Sequence, residues 1–177
     1  NDDFATLLKK KIRQQFNWLE EAQLLSGDKV AHEKLIKEIT AHCDDFARAH
    51  TQQSAQVLQT LKDKGYTLII VSNFYGNLKS VLAAYNLLHF FTDIVESAVV
   101  GVRKPDAAIW QLGVKVANSS AQNCIAIGDS FSKDIVPSHA SGIETIWFKG
   151  KEWEDKEYDE SLPSHIITSL TDILQIL

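Results

Sequence analysis

The 177-residue chain contains no methionine, not even at position 1. That absence predicts that Asn1 is not the natural start. Cysteine is almost missing too, with Cys43 and Cys124 the only two. Far apart in an acidic chain, they favour free thiols in a reducing, cytoplasmic setting over a disulfide. No apolar run is long enough to cross a bilayer. The opening Asn1-Asp2-Asp3 is acidic, where a signal peptide would be basic. Positive charge is outnumbered: 18 Lys and Arg face 23 Asp and Glu, giving −5 at pH 7. No basic stripe interleaved with aromatics appears. Neither nucleic acid nor a membrane is therefore expected as a partner.

Several chemical signatures are missing as well. There is no Gly-x-Ser-x-Gly elbow, no Gly-x4-Gly-Lys phosphate loop and no zinc spacing among the cysteines and the six histidines. His42-Cys43-Asp44-Asp45 looks rich in ligands. On a helix, however, adjacent residues point in different directions, so it reads as an ordinary exposed turn.

What remains is 45% hydrophobic, enough for one substantial core with or without a small appendage. Residues 2–25 carry Phe4, Leu7, Leu8, Ile12, Phe16 and Leu19 at spacings of three and four, which predicts a helix ended by Ser26-Gly27-Asp28. A second helix is expected over about 29–50, striped by Val30, Leu35, Ile36, Ile39 and Phe46. From Ser54 the grammar changes. A helix to Lys64 is stopped by Gly65, and Tyr66–Val71 follows as a continuous apolar strand, the pattern of a buried parallel sheet. After the loop Ser72–Gly76 a helix runs to about Tyr85. Asp93–Glu96 reads as a short strand, and Lys104-Pro105-Asp106 as the opening of a helix to about Ala117. Strands at Asn123–Ile127 and Glu144–Phe148 flank a helix at about 132–141. Lys149–Glu160 is charged and reads as a solvated loop, and Ile166-Ile167 as a last strand before a C-terminal helix.

Strand and helix alternate from 54 to 177, which predicts an α/β fold with a parallel sheet covered on both faces. Ligands of such sheets bind beyond the carboxyl ends of the strands. The two most polar loops, 72–76 and 128–134, both follow strand ends and so share one edge. Ser72-Asn73 offers a hydroxyl and free N–H groups to an anionic oxygen, or else caps the next helix. Lys104 is either a counter-charge for phosphate or a solvated surface lysine. Gly128-Asp129-Ser130-Phe131-Ser132-Lys133-Asp134 puts two carboxylates at a strand end. They suit Mg²⁺, or else shape the turn and the helix start. Phe16, Trp18 and Tyr75 could line the site, though packing is the expected role of each.

Together, Val71-Ser72-Asn73, Lys104-Pro105-Asp106 and Gly128-Asp129-x4-Asp134 resemble the second, third and fourth motifs of the haloacid dehalogenase-like hydrolases. The resemblance covers roughly residues 54–150. It implies a three-layer α/β/α Rossmann-like core over 54–177 and an all-helical cap over 1–53. It also implies phosphoryl transfer from a small phosphorylated metabolite through an aspartyl-phosphate intermediate, with Mg²⁺ as cofactor. By the resemblance Ser72 hydrogen-bonds the phosphoryl group, assisted by the Asn73 N–H. Lys104 holds the charges of nucleophile and phosphoryl. Asp129 ligates Mg²⁺ directly, and Asp134 does so through water or orients Lys104. The family's first motif, an apolar strand ending Asp-x-Asp, has no counterpart here, since Asp2-Asp3 follows no strand. The chain is therefore expected to lack that first strand and the nucleophile on it. Gly-Asp-x4-Asp points to the metal-dependent phosphatases rather than the metal-free dehalogenases. A catalytically inactive relative that binds a phosphorylated ligand or a partner is the competing expectation.

Overall fold

A computed structural model of the chain describes residues 4–22, 25, 27–150 and 157–177. Asp2, Asp3 and Ser26, and part of the 149–160 loop, lie outside the described residues. Two helices open the chain, α1 (Phe4–Glu21) and α2 (Lys29–Asp63). Leu8, Ile12, Phe16 and Leu19 of α1 are half-buried, as their spacing predicts. The Asp28 side chain caps α2 by accepting the Val30 N–H at 3.0 Å.

The sequence predicts two helices over 29–64, whereas α2 is a single helix of 35 residues. Thr51-Gln52-Gln53 holds neither Gly nor Pro to break it. The hydroxyls of Thr51 and Ser54 turn back to the Arg48 and His50 carbonyls at 3.0 Å, so they do not compete with the helix ladder. Position 53/54 thus lies inside an unbroken helix. Tyr85 ties α2 to the next helix: its hydroxyl meets Asp44 Oδ1 at 3.0 Å, and the Arg48 guanidinium sits 5.3 Å above its ring. Burial, then the hydrogen bond to Asp44, pushes the Tyr85 phenol up from 10.0 to about 12.

The remainder alternates: β1 (Ile69–Ser72), α3 (Leu78–Ala84), β2 (Asp93–Glu96), α4 (Ser97–Val100), α5 (Ala108–Val116), β3 (Ile125–Gly128), α6 (Val136–Ala140), β4 (Glu144–Phe148), β5 (His165–Ile167) and α7 (Ile173–Ile176). Every strand pairing among the described residues is parallel. Period-two alternation explains how both faces are buried. Ile70 and Ile94 pack toward α3, and Ile125 and Ile127 toward α2 and α7, while Ile69, Val71 and Ala126 pack toward α5. Helices thus cover both faces, giving the α/β, Rossmann-like layering.

The sheet is in two pieces among the described residues, β1–β2 and β3–β4–β5. Between β1 and β3 runs an apolar slot of about 750 Å³, walled by Ile70, Val71, Ile125 and Ile127 and roofed by Val57 and Trp110. Two further differences bear on the site. The helix expected from Lys104 begins only at Ala108, after a turn with a cis Lys104–Pro105 bond. The helix expected at 132–141 starts with a π-turn at Phe131–Ile135 before α6.

Candidate functional site

The carboxyl ends of β1 and β3 define one edge. Ser72 is the last residue of β1, and α3 starts only at Leu78 with Asn77 as its cap. Neither Ser72 nor Asn73 therefore caps that helix. The Asn73 side chain instead reaches the third candidate segment. Its Nδ2 donates to the Lys104 carbonyl at 3.0 Å, and its Oδ1 accepts the Lys104 N–H at 2.8 Å. Such a two-point clamp on one residue's main chain fixes where its side chain starts.

Lys104 is not a solvated lysine. Its Nζ lies 2.7 Å from Asp134 Oδ1, with 14% and 5% of the two side chains exposed. It also sits 5.0 Å over the Trp110 ring. The other Asp134 oxygen accepts the Ser130 N–H at 3.0 Å. Gly128 makes this possible, because a Cβ there would stand 2.4 Å from the Asp134 Cβ. No other residue type leaves Asp134 that room.

Asp129 and Asp134 therefore differ. Asp134 is buried and both its oxygens are engaged. Asp129 is exposed, and its main-chain carbonyl takes the Trp147 indole N–H at 3.0 Å. Among the described residues no group of three or more His, Cys, Asp or Glu is arranged to enclose a metal. The donors fit a weakly held, oxygen-coordinated Mg²⁺, with one free carboxylate completed by water and phosphate oxygens. They do not fit a closed transition-metal cage.

The structure thus draws Asn73, Lys104, Asp129 and Asp134 into one connected set at the edge where Ser72 ends β1. Two contributors go unrecognised in the sequence reading. Glu96, in register with Ser72, is 4% exposed. Its carboxylate accepts the N–H groups of Gly76 and Leu78, while Ser97 Oγ bonds Phe74. The loop carrying Ser72 and Asn73 is therefore held from β2. Trp147 plays the corresponding part on β4. An acid ending the apolar strand Asp93–Glu96 was the available signal for the first, and nothing local announces the second. The aromatics divide. Phe16 packs edge-on to His32 at 5.7 Å, whereas Trp18 and Tyr75 are 57% and 90% exposed, with the Tyr75 ring 5.5 Å from that of its neighbour Phe74. Cys43 and Cys124 are both free thiols. In the ligand-rich stretch at His42, Asp44 is bound to Arg48 and Tyr85.

The profile of the haloacid dehalogenase-like hydrolases matches residues 2–142. The chain is 30% identical over 139 residues to the haloacid dehalogenase-like hydrolase domain-containing protein 3 of Mus musculus, covering 76% of this chain and 55% of that protein. It is 33% identical over 127 residues to a glyceraldehyde 3-phosphate phosphatase of Pyrococcus furiosus, covering 69% and 52%. It spans about half the length of the curated relatives it matches. Its fold is similar to that of the magnesium-bound HAD-hydrolase YfnB of Bacillus subtilis, with a TM-score of 0.62 at 22% identity over 100% of this chain and 84% of that one.

Proposed function

The chain belongs to the haloacid dehalogenase-like hydrolase family, and from that premise we propose that it works as a Mg²⁺-dependent phosphatase of a small phosphate monoester. The observation that carries the proposal is the buried Lys104–Asp134 pair, 2.7 Å apart, beside a free Asp129 carboxylate on the edge where Ser72 ends its strand. The Ser72 hydroxyl donates to a phosphoryl oxygen, assisted by the Asn73 N–H. Lys104, clamped by the Asn73 side chain, offsets the charge that gathers on phosphoryl and nucleophile. Asp129 holds the cation, and Asp134 aims Lys104. A bound Mg²⁺ would neutralise phosphate charge and orient the ester.

The reaction runs through an aspartyl phosphate: a carboxylate displaces the alcohol from phosphorus, and water then hydrolyses the acyl phosphate. No residue from 1 to 177 is assigned as that carboxylate. The slot between β1 and β3 supports a core, residues 54–177, that takes one further parallel strand, with 1–53 contributing to a helical cap. Such a strand would end beside Ser72 and Gly128. The names of relatives such as the glyceraldehyde 3-phosphate phosphatase support a small phosphorylated metabolite as substrate, and the two free cysteines support a reducing, cytoplasmic setting.

The test is a screen of phosphate esters with the natural full-length polypeptide. Phosphate release that needs Mg²⁺, and that EDTA and Asp129→Asn each abolish, is the expected result. Turnover untouched by Asp129→Asn would refute the site. Ester binding without turnover would favour the inactive binder, and halide release insensitive to EDTA a dehalogenase.

A further inference from the structure

The peptide unit joining Asp129 to Ser130 is held at both ends. Its carbonyl accepts the Trp147 indole N–H at 3.0 Å, and its N–H donates to Asp134 Oδ2 at 3.0 Å. On the other side of Asp129, Gly128 is locked into the β3–β4 ladder opposite Trp147 itself. With the backbone fixed before and after it, the Asp129 carboxylate has only its own rotamers left to choose.

Trp147 is built to hold still. It is 1% exposed, and its ring makes edge contacts with Phe131 at 5.1 Å and Tyr158 at 5.6 Å. The indole N–H is its single polar group and carries no charge. It can therefore fix a carbonyl beside a cation site without repelling the cation, which a Lys or Arg in its place would do.

We infer that Trp147 is the positioning residue that aims the Asp129 carboxylate at a divalent cation, an inference that rests on the metal role proposed above for Asp129. Groups that orient a metal ligand typically change metal affinity when lost, whatever they do to stability.

The experiment is a Mg²⁺ and Mn²⁺ titration of the natural full-length polypeptide, read by calorimetry and by indole emission. Trp147→Phe keeps a ring but loses the N–H, and its affinity is expected to fall by about tenfold. If that variant folds poorly, benzothienylalanine at position 147 keeps the indole's shape without the N–H, and the same loss is expected. Tyr158→Leu removes a ring contact and keeps the N–H, and it is expected to bind as the parent does. The metal-dependent change in emission is expected in the parent and absent from Trp147→Phe. Parent affinity in the variants lacking the N–H, or an equal loss in Tyr158→Leu, overturns the role of Trp147. Asp129→Asn that binds like the parent overturns the metal assignment instead, so the two failures are distinguishable. A parent chain that binds neither ion overturns both.

Discussion

On β1 the residue at the site edge is Ser72, whose register partner on β2 is Glu96; on β3 it is Gly128, whose register partner on β4 is Trp147. In both halves the neighbouring strand grips the loop that leaves the site strand. The means differ with what each loop presents. The loop after β1 turns N–H groups inward, from Gly76 and Leu78, and meets a buried carboxylate. The loop after β3 turns in the Asp129 carbonyl and meets a neutral indole N–H. Hydrogen bonds to a charged group contribute more than neutral ones, so the β1 loop is the more strongly anchored. Beyond the apolar packing on α5, the halves are linked at the site edge by polar contacts: Asn73 from the first clamps Lys104, and Lys104 pairs with Asp134 of the second.

The join is where the largest effect is expected. Lys104→Ala leaves Asp134, 4% exposed, as a buried charge without its cation. Breaking such a pair costs about 3 kcal/mol, measurable by urea unfolding. A loss under about 1 kcal/mol, the scale of an exposed pair, would mean that the two halves do not depend on this contact. Within the first half, Glu96→Ala strips two backbone N–H groups of their acceptor, at an expected cost of about 2 kcal/mol. Glu96→Gln keeps one acceptor oxygen and should recover part of that cost. Equal losses in Glu96→Ala and Trp147→Phe would erase the contrast between charged and neutral anchors.

The smallest effect lies away from the edge, at Tyr85. Its phenol is raised to about 12 in the fold, by burial first and then by Asp44. The folded chain therefore keeps this proton at a pH where the unfolded chain has lost it. The contribution is fully present below about pH 10. It is lost as pH rises toward the folded-state value of about 12. Tyr85→Phe should show a shallower alkaline decline in stability across that window, read from melts at stepped pH. An unchanged slope would detach Tyr85 from the α2–α3 contact.

Legibility in the sequence followed distance along the chain. The strands Asp93–Glu96 and Glu144–Phe148 were read to the residue, since β-branched and apolar runs report burial directly. Helix starts were read less well. Pro105 and Asp106 signal a first turn, but the cis bond makes a turn of its own and Asp106 caps Ala108 from outside the helix. The break expected near residue 50 rested on a change of pattern rather than on a breaker, and α2 runs through it. Asp134 as the partner of Lys104 was one of two expected roles and is the geometry observed. For the Asn73 side chain the one expected task was a helix cap, and its clamp on Lys104 belongs to the fold.

By itself the sequence determined the α/β alternation, the parallel direction of the strands, and the edge shared by the 72–76 and 128–134 loops, with Ser72, Asp129 and Asp134. These follow from side-chain periodicity and from the rule that parallel strands joined by helices end on one side. Only the tertiary structure decided that the described strands form two pieces around an apolar slot, that Asp134 is spent on Lys104 while Asp129 stays free, and that Glu96 and Trp147 hold the loops. Those outcomes depend on which residue lies opposite which across a ladder, and register is set by packing between segments distant in the chain.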